Sequence, residues 1–184
     1  MKKKIKQHYV DNKKLLGEMV VFRESVHHAR AKELERPPVS EYIGECIMKI
    51  AEHLSYRPNF INYTYKEDMI CDGIENCLLY IDNFDPEKSK NPFAYFTQII
   101  YYAFIRRIQK EKKQMYVKYK SLEQSDLVDE IMQSSDGSKV KNTYFEFIQT
   151  NMGEFLADFE ETQRKNKKKR GKKSEVETEE VSKK

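Results

Sequence analysis

Apolar residues recur at the 3.6-residue period of an α-helix in three stretches of the first 85 positions. The first stretch follows a cap at Asp11 or Asn12 and ends before the prolines at 37–38, and the second follows a capping Ser40 and ends near position 56. The third opens at a capping box formed by Thr64 and Glu67 and ends near position 83. Three helices are therefore predicted, with the aromatic link at 59–63 packed against them.

A fourth helix begins at Pro92, behind a capping Asn91, and is predicted to end between Lys113 and Lys120. Beyond it the apolar period weakens. We predict a linker with a short helix over 121–141, an amphipathic segment over 142–161 and a disordered charged tail over 162–184. A basic arm occupies 1–10. The predicted fold class is all-α, with a compact helical domain at 11–120, a loosely attached helical C-terminal segment and a disordered basic tail.

Composition narrows the class of protein. The mean hydropathy is −0.84, no apolar run approaches the roughly 20 residues of a membrane span, and no apolar segment follows the basic N-terminus. We therefore expect a cytoplasmic protein with no membrane partner.

The three cysteines, Cys46, Cys71 and Cys77, lie in apolar helical stretches without a CxxC pair. This pattern predicts buried free thiols rather than disulfides or a zinc site, and no metal or cofactor is expected.

The positive charge is localised. Ten basic and six acidic groups after position 159 account for the whole net charge of +4. Within the neutral remainder, residues 106–120 carry seven basic groups against Glu111 alone. A local basic field on a neutral body is typical of a surface that faces phosphates.

The fourth predicted helix has two distinct faces. One is apolar and must belong to the core; it carries Phe93, Phe96, Ile100, Ala103, Phe104 and the stem of Arg107. The other interleaves flat aromatic rings with cations and an amide, at Tyr95, Ile99, Tyr102, Arg106, Gln109 and Lys113. Such a face can stack on unpaired bases while its cations contact phosphates. The alternative is that the tyrosines pack against a neighbouring helix and the cations are solvated.

The third predicted helix carries an acidic stripe with apolar members, formed by Asp68, Asp72, Glu75 and Leu78. Ordinary solvation would explain it. An acidic face on one helix beside a basic aromatic face on the next would also suit a protein that bridges a basic partner and DNA.

These two helices resemble region 2 of bacterial sigma factors. The resemblance rests on residues 68–85, DMICDGIENCLLYIDNFD, and 91–100, NPFAYFTQII: an acidic, glycine-containing helix ending in Phe, a short turn, and an aromatic helix that becomes basic. It is nearest to the short late-transcription sigma factors of T-even-like tailed phages and extends over about 11–120. It implies promoter recognition for a core RNA polymerase in a bacterial host cell. It also implies that the clamp helices of the polymerase's largest subunit dock on Asp68, Cys71, Asp72, Glu75 and Leu78.

The same resemblance implies roles on the fourth helix. Tyr95 corresponds to the position that captures a flipped base of an A/T-rich minus-ten element, and Gln98 and Ile99 to a tryptophan pair that props the open duplex. Positions that meet the upstream edge of that element correspond to Tyr102, Ile105 and Arg106. The cations and amide that follow, Gln109, Lys110 and Lys113, complete the predicted DNA-binding set. The absence of both tryptophans implies that melting of promoter DNA depends on an activator.

In the phage late family a short hydrophobic motif near the C-terminus binds the replication sliding clamp, with a co-activator also involved. The candidate here is Phe155, Leu156 and Phe159, which would fill a hydrophobic groove as one helical turn. The chain continues for 25 residues past Phe159, so the motif is not terminal. The alternative is that this stretch packs on the body of the protein.

An enzyme is not expected, because the sequence contains no P-loop, no GxSxG and no HExxH. Asp82 and Asp85 flank a predicted helix end and are interpreted as caps rather than a catalytic pair.

The competing function is a helical DNA- or RNA-binding adaptor that does not engage RNA polymerase. That alternative explains the basic aromatic helix but not the acidic stripe.

Overall fold

The computed structural model describes residues 8–124 and 139–181, and all regular structure in those ranges is helical. The predicted all-α class is therefore confirmed. The helices are α1 (Asn12–Ala31), α2 (Glu41–Ser55), α3 (Lys66–Tyr80), α4 (Pro92–Gln124) and α5 (Lys139–Val181), and a 3₁₀ turn (Ile81–Asn83) follows α3. The chain divides into two compact units, Met1–Ile108 and Gln109–Lys184.

Three of the four predicted helix starts are confirmed by their caps. The Asp11 carboxylate accepts hydrogen bonds from the second and third backbone N–H groups of α1, Ser40 caps α2, and Asn91 caps α4 through the N–H of Ala94 at 3.0 Å. The predicted capping box of α3 is wrong. This helix begins one residue later, behind Tyr65, and its cap makes no side-chain hydrogen bond. The shift moves Glu67 out of the position that a capping box requires.

The core of the first unit is formed by one face from each of α1 to α4. Leu15 and Met19 of α1, Ile47 of α2, and Phe96 and Phe104 of α4 are almost completely buried. The predicted packing of the aromatic link is confirmed at Phe60, which is buried and meets the Phe104 ring edge-on. The unit is held by apolar packing rather than by its surface charges.

Ion pairs join α1 and the segment after it to the connection between α3 and α4. Arg23 pairs with Asp85 at 2.5 Å, and Arg30 and Arg36 both pair with Asp82, at 3.1 and 3.0 Å. The hydrogen bond from Arg23 lowers the pKa of the Asp85 carboxyl. Both carboxylates are thus engaged with arginines of α1 or of the segment after it.

The two C-terminal helices are longer than predicted. α4 ends at Gln124 instead of between Lys113 and Lys120, and α5 continues to Val181 instead of ending at 161. The sequence from 162 was predicted to be disordered, but its lysines and glutamates are good helix formers. An i,i+4 ion pair of 2.7 Å joins Lys165 to Glu161. The predicted short helix at Leu127, Val128, Ile131 and Met132 and most of the 1–10 arm lie outside the described residues.

Within the described ranges, no helix carries an apolar stretch long enough to cross a membrane.

Candidate nucleic-acid interface

The predicted aromatic and cationic face of α4 lines a shallow depression on the first unit. Five of the predicted residues lie around it, and the end of α3 supplies a sixth: the lining is Tyr80, Tyr95, Gln98, Ile99, Tyr102 and Arg106. Three tyrosines, one aliphatic side chain, one amide and one guanidinium thus meet at one place. This combination can stack on a planar base, hydrogen-bond to its edge and contact a phosphate.

Tyr95 is fixed from two sides. Its hydroxyl donates a hydrogen bond of 2.6 Å to the backbone carbonyl of Tyr80, and its ring centroid lies 5.2 Å from that of Phe84. Partial burial raises the pKa of the Tyr95 phenol, so the ring is neutral and the hydroxyl remains a donor at physiological pH. A ring held in this way loses little conformational entropy when a base stacks on it.

Arg106 is oriented by α3. Its guanidinium donates a hydrogen bond of 2.7 Å to the side-chain oxygen of Asn76. The nitrogen of that amide donates to the backbone carbonyl of Asp72, also at 2.7 Å, which fixes which end of the amide faces Arg106. Because the acceptor is neutral, the positive charge of Arg106 is not cancelled.

The alternative interpretation, in which the tyrosines of this face pack against the rest of the fold, holds for part of it. Tyr95 and Ile99 pack partly against the core, whereas Tyr102 keeps 51% of its surface exposed. Ile105 is partly buried against the core and does not line the depression. The remaining predicted DNA-binding residues, Gln109, Lys110 and Lys113, are exposed and belong to the second unit. The structure therefore brings together five of the nine predicted residues.

Two members of the arrangement were not predicted. Tyr80 and Asn76 lie one helical turn apart on α3, and their contribution depends on how α3 crosses α4. The helical pattern of α4 contains no signal for either residue.

Arg107 of α4 pairs with two of the acidic residues in the stripe on α3. The guanidinium of this residue reaches Asp68 at 3.4 Å and Asp72 at 3.3 Å, so both carboxylates are engaged inside the unit. Only 19% of the Arg107 side chain is exposed, which agrees with its predicted position at the core. Among the predicted polymerase-binding residues, Asp68, Cys71, Glu75 and Leu78 are exposed, and Asp72 is half-buried.

Three of them, Cys71, Glu75 and Leu78, line a second shallow depression that is mostly apolar. Arg36, Ile74 and Leu79 complete it, and Leu79 keeps 68% of its surface exposed. An exposed apolar patch with one acidic and one basic group at its edge is typical of a protein-binding surface. The sequence pattern assigned Leu78 to this face but missed Leu79, which follows it directly.

The prediction that all three cysteines are buried is wrong for Cys71, which is exposed, while Cys46 and Cys77 are buried. Burial raises the pKa of the Cys77 thiol to about 12 and also raises the pKa of the Cys46 thiol. We therefore expect one of three thiols to react rapidly with Ellman's reagent in the folded protein at pH 7.5, and all three in denaturant. The Cys71→Ser variant should lose only the fast phase. A fast phase that persists in this variant would contradict the assignment.

The predicted clamp-binding residues pack inside the second unit, as the alternative interpretation has it. The Phe159 ring stacks on Tyr116 of α4 at 4.6 Å, the Phe155 ring meets Tyr119 edge-on at 5.5 Å, and Leu156 is buried. The Tyr116 hydroxyl also donates to Glu160 at 3.1 Å, which raises the pKa of that phenol. A partner that bound Phe155 and Phe159 would have to displace these contacts.

Within the described part of the chain, no three His, Cys, Asp or Glu side chains are grouped so that they could hold a metal ion. No protein-family model matches this sequence, and no curated protein is significantly similar to it.

Proposed function

We propose that this chain is a sigma factor that directs a core RNA polymerase to late promoters by capturing an unpaired base of an A/T-rich minus-ten element. The observation that carries the proposal is the depression lined by Tyr80, Tyr95, Gln98, Ile99, Tyr102 and Arg106. Its residues satisfy what base capture requires physically. Unstacking a base costs a few kcal/mol, and a stacking contact of about 1–3 kcal/mol together with a phosphate contact can offset that cost.

The polymerase-binding part of the proposal uses the apolar depression on α3. Leu78 and Leu79 supply apolar area, and Glu75 supplies a negative charge toward a basic partner. Asp68 and Asp72 pair with Arg107 and do not line that depression. Activation by a replication sliding clamp through Phe155, Leu156 and Phe159, with a co-activator, is part of the proposal and requires that these residues leave Tyr116 and Tyr119.

The adaptor remains the second candidate function, because one observation favours it. The pairing of Asp68 and Asp72 with Arg107 explains most of the acidic stripe without a polymerase. A pull-down of bacterial core RNA polymerase by the tagged protein separates the two functions. Stable binding, followed by transcription from supercoiled minus-ten DNA that depends on this protein, supports the sigma factor. Intact DNA binding without polymerase binding supports the adaptor.

The Tyr95→Ala variant is expected to form open complexes about ten- to a hundredfold less well, because it loses a base-stacking contact. Its binding to core polymerase should be unchanged, since Tyr95 is not part of the apolar depression on α3. Permanganate footprinting of unpaired thymines measures the first quantity and co-purification the second. A parallel loss of both would indicate misfolding, and unchanged permanganate reactivity would remove Tyr95 from the proposed site. Tyr56→Ala, at an exposed tyrosine that does not line the depression, is the matched control.

A further inference from the structure

We infer that the last two turns of α3 complete the base-binding site, with Tyr80 as an additional stacking residue and Asn76 as a positioning residue for Arg106. The inference rests on the proposed function and specifies which residues select an unpaired base. It is carried by the place of Tyr80 at the depression and by two contacts between α3 and α4, none of which the pattern of α4 alone contains.

The first observation concerns Tyr80. This residue lines the same depression as Tyr95 and Tyr102, and 47% of it is exposed. An aromatic residue with about half of its surface in water contributes less to the core than a buried one. Stacking on a planar ligand would bury that surface and use the π-face of the ring.

The second observation is a hydrogen bond that ties Tyr80 to Tyr95 through the backbone. The carbonyl of Tyr80 belongs to the last turn of α3, where helical carbonyls lack an intrahelical partner, and it accepts the Tyr95 hydroxyl at 2.6 Å. The two tyrosines therefore hold a fixed relation: the backbone of one orients the ring of the other. Removing the Tyr80 side chain leaves this carbonyl in position, so the ring can be tested without disturbing Tyr95.

The third observation is the hydrogen bond that orients Arg106. Asn76 presents its oxygen to the guanidinium at 2.7 Å and is itself held by its amide nitrogen on the Asp72 carbonyl. A guanidinium has five N–H donors in a rigid fork, so one fixed hydrogen bond orients the remaining donors. Asn76 therefore sets the direction of the Arg106 donors while leaving the charge available for a phosphate or a base edge.

The test of Tyr80 uses the protein assembled with bacterial core RNA polymerase and two fork-junction templates. The templates are identical except that the first unpaired position carries a base in one and an abasic site in the other. The wild-type complex is expected to prefer the template with the base. Tyr80→Ala should reduce that preference by roughly 5- to 100-fold, the range of one stacking contact, and leave affinity for the abasic template unchanged. Tyr80→Phe should keep the preference, and Tyr56→Ala controls for loss of an exposed tyrosine.

Two other outcomes are decisive. If Tyr95→Ala abolishes the preference while Tyr80→Ala keeps it, the inference is overturned and the proposed function stands. If the wild-type complex shows no preference for the base, base capture itself is wrong, and the inference falls with it.

Asn76 is tested by salt dependence. Arg106→Ala should reduce the slope of log affinity against log salt concentration by about one, because one phosphate contact is lost. Asn76→Ala keeps the charge, so we expect an unchanged slope together with a reduced preference for the template with the base. A slope that falls as in Arg106→Ala, or an unchanged preference, would overturn the positioning role.

Discussion

Replacing Gly73 with valine is expected to destabilise the first unit by about 1–3 kcal/mol, the usual range for overpacking a filled core. Gly73 lies where α3 meets α4. A Cβ atom at this position would be 2.9 Å from the Phe104 ring and 3.1 Å from a methyl group of Ile100. Neither neighbour can move aside at a small cost in free energy, because both are fully buried and the Phe104 ring is packed edge-on against Phe60. A slight gain in helix propensity offsets only a few tenths of a kcal/mol.

The expected fall in melting temperature is on the order of 5–20 °C for a unit of this size. Thermal unfolding followed by circular dichroism measures it. Gly17→Val is the matched control, since it makes the same change in the exposed part of α1, where a Cβ would have no neighbour within 4 Å. That control should be neutral or slightly stabilising. Equal effects of the two substitutions would mean that α3 and α4 do not approach each other at Gly73.

Structure determined by local sequence was predictable, and structure determined by the crossing of helices was not. Asp11, Ser40 and Asn91 cap their helices because a side chain and the backbone N–H groups that it serves are two or three residues apart. The predicted capping box of α3 was wrong because this motif requires an exact helix start. A start one residue later, as observed here, removes it. The ends of α4 and α5 were placed too early, because the apolar period stops before the helix does.

The same distinction applies to the candidate site. Tyr95, Ile99, Tyr102 and Arg106 share one side of a single helix, so their proximity follows from the helical period. The contributions of Tyr80 and Asn76 depend on contacts to residues 15 and 30 positions away. The pairing of Arg107 with Asp72, 35 positions away, likewise could not be anticipated from a stripe on one helix.

The pairing of Arg107 with Asp72 changes which substitution tests the proposed polymerase-binding surface. Asp72→Lys would put two cations in contact at Arg107 and weaken the junction of α3 with α4, so a loss of binding would not be specific. Leu79 offers a cleaner position. Its side chain is 68% exposed and lines the apolar depression, so a change there affects a bound partner far more than the fold.

Leu79→Lys is therefore expected to weaken binding to core RNA polymerase by at least about a hundredfold, because an unpaired charge buried at an interface costs roughly 3–5 kcal/mol. Lysine also adds a positive charge to a surface whose exposed Glu75 suits a basic partner. Surface plasmon resonance with immobilised core polymerase measures the affinity. Val21→Lys is the control: it puts the same side chain at a residue of α1 that is 63% exposed, and its affinity should equal that of the wild type.

Protection of the Cys71 thiol from Ellman's reagent is an independent test of the same surface, since Cys71 lines the depression together with Leu79. Core polymerase should slow its reaction with Ellman's reagent in the wild type and in Val21→Lys, but not in Leu79→Lys. If Leu79→Lys binds the polymerase like the control, the α3 depression is not the docking surface. The sigma factor would then have to engage the polymerase through another surface, because the adaptor predicts that neither the wild type nor either variant binds the polymerase at all.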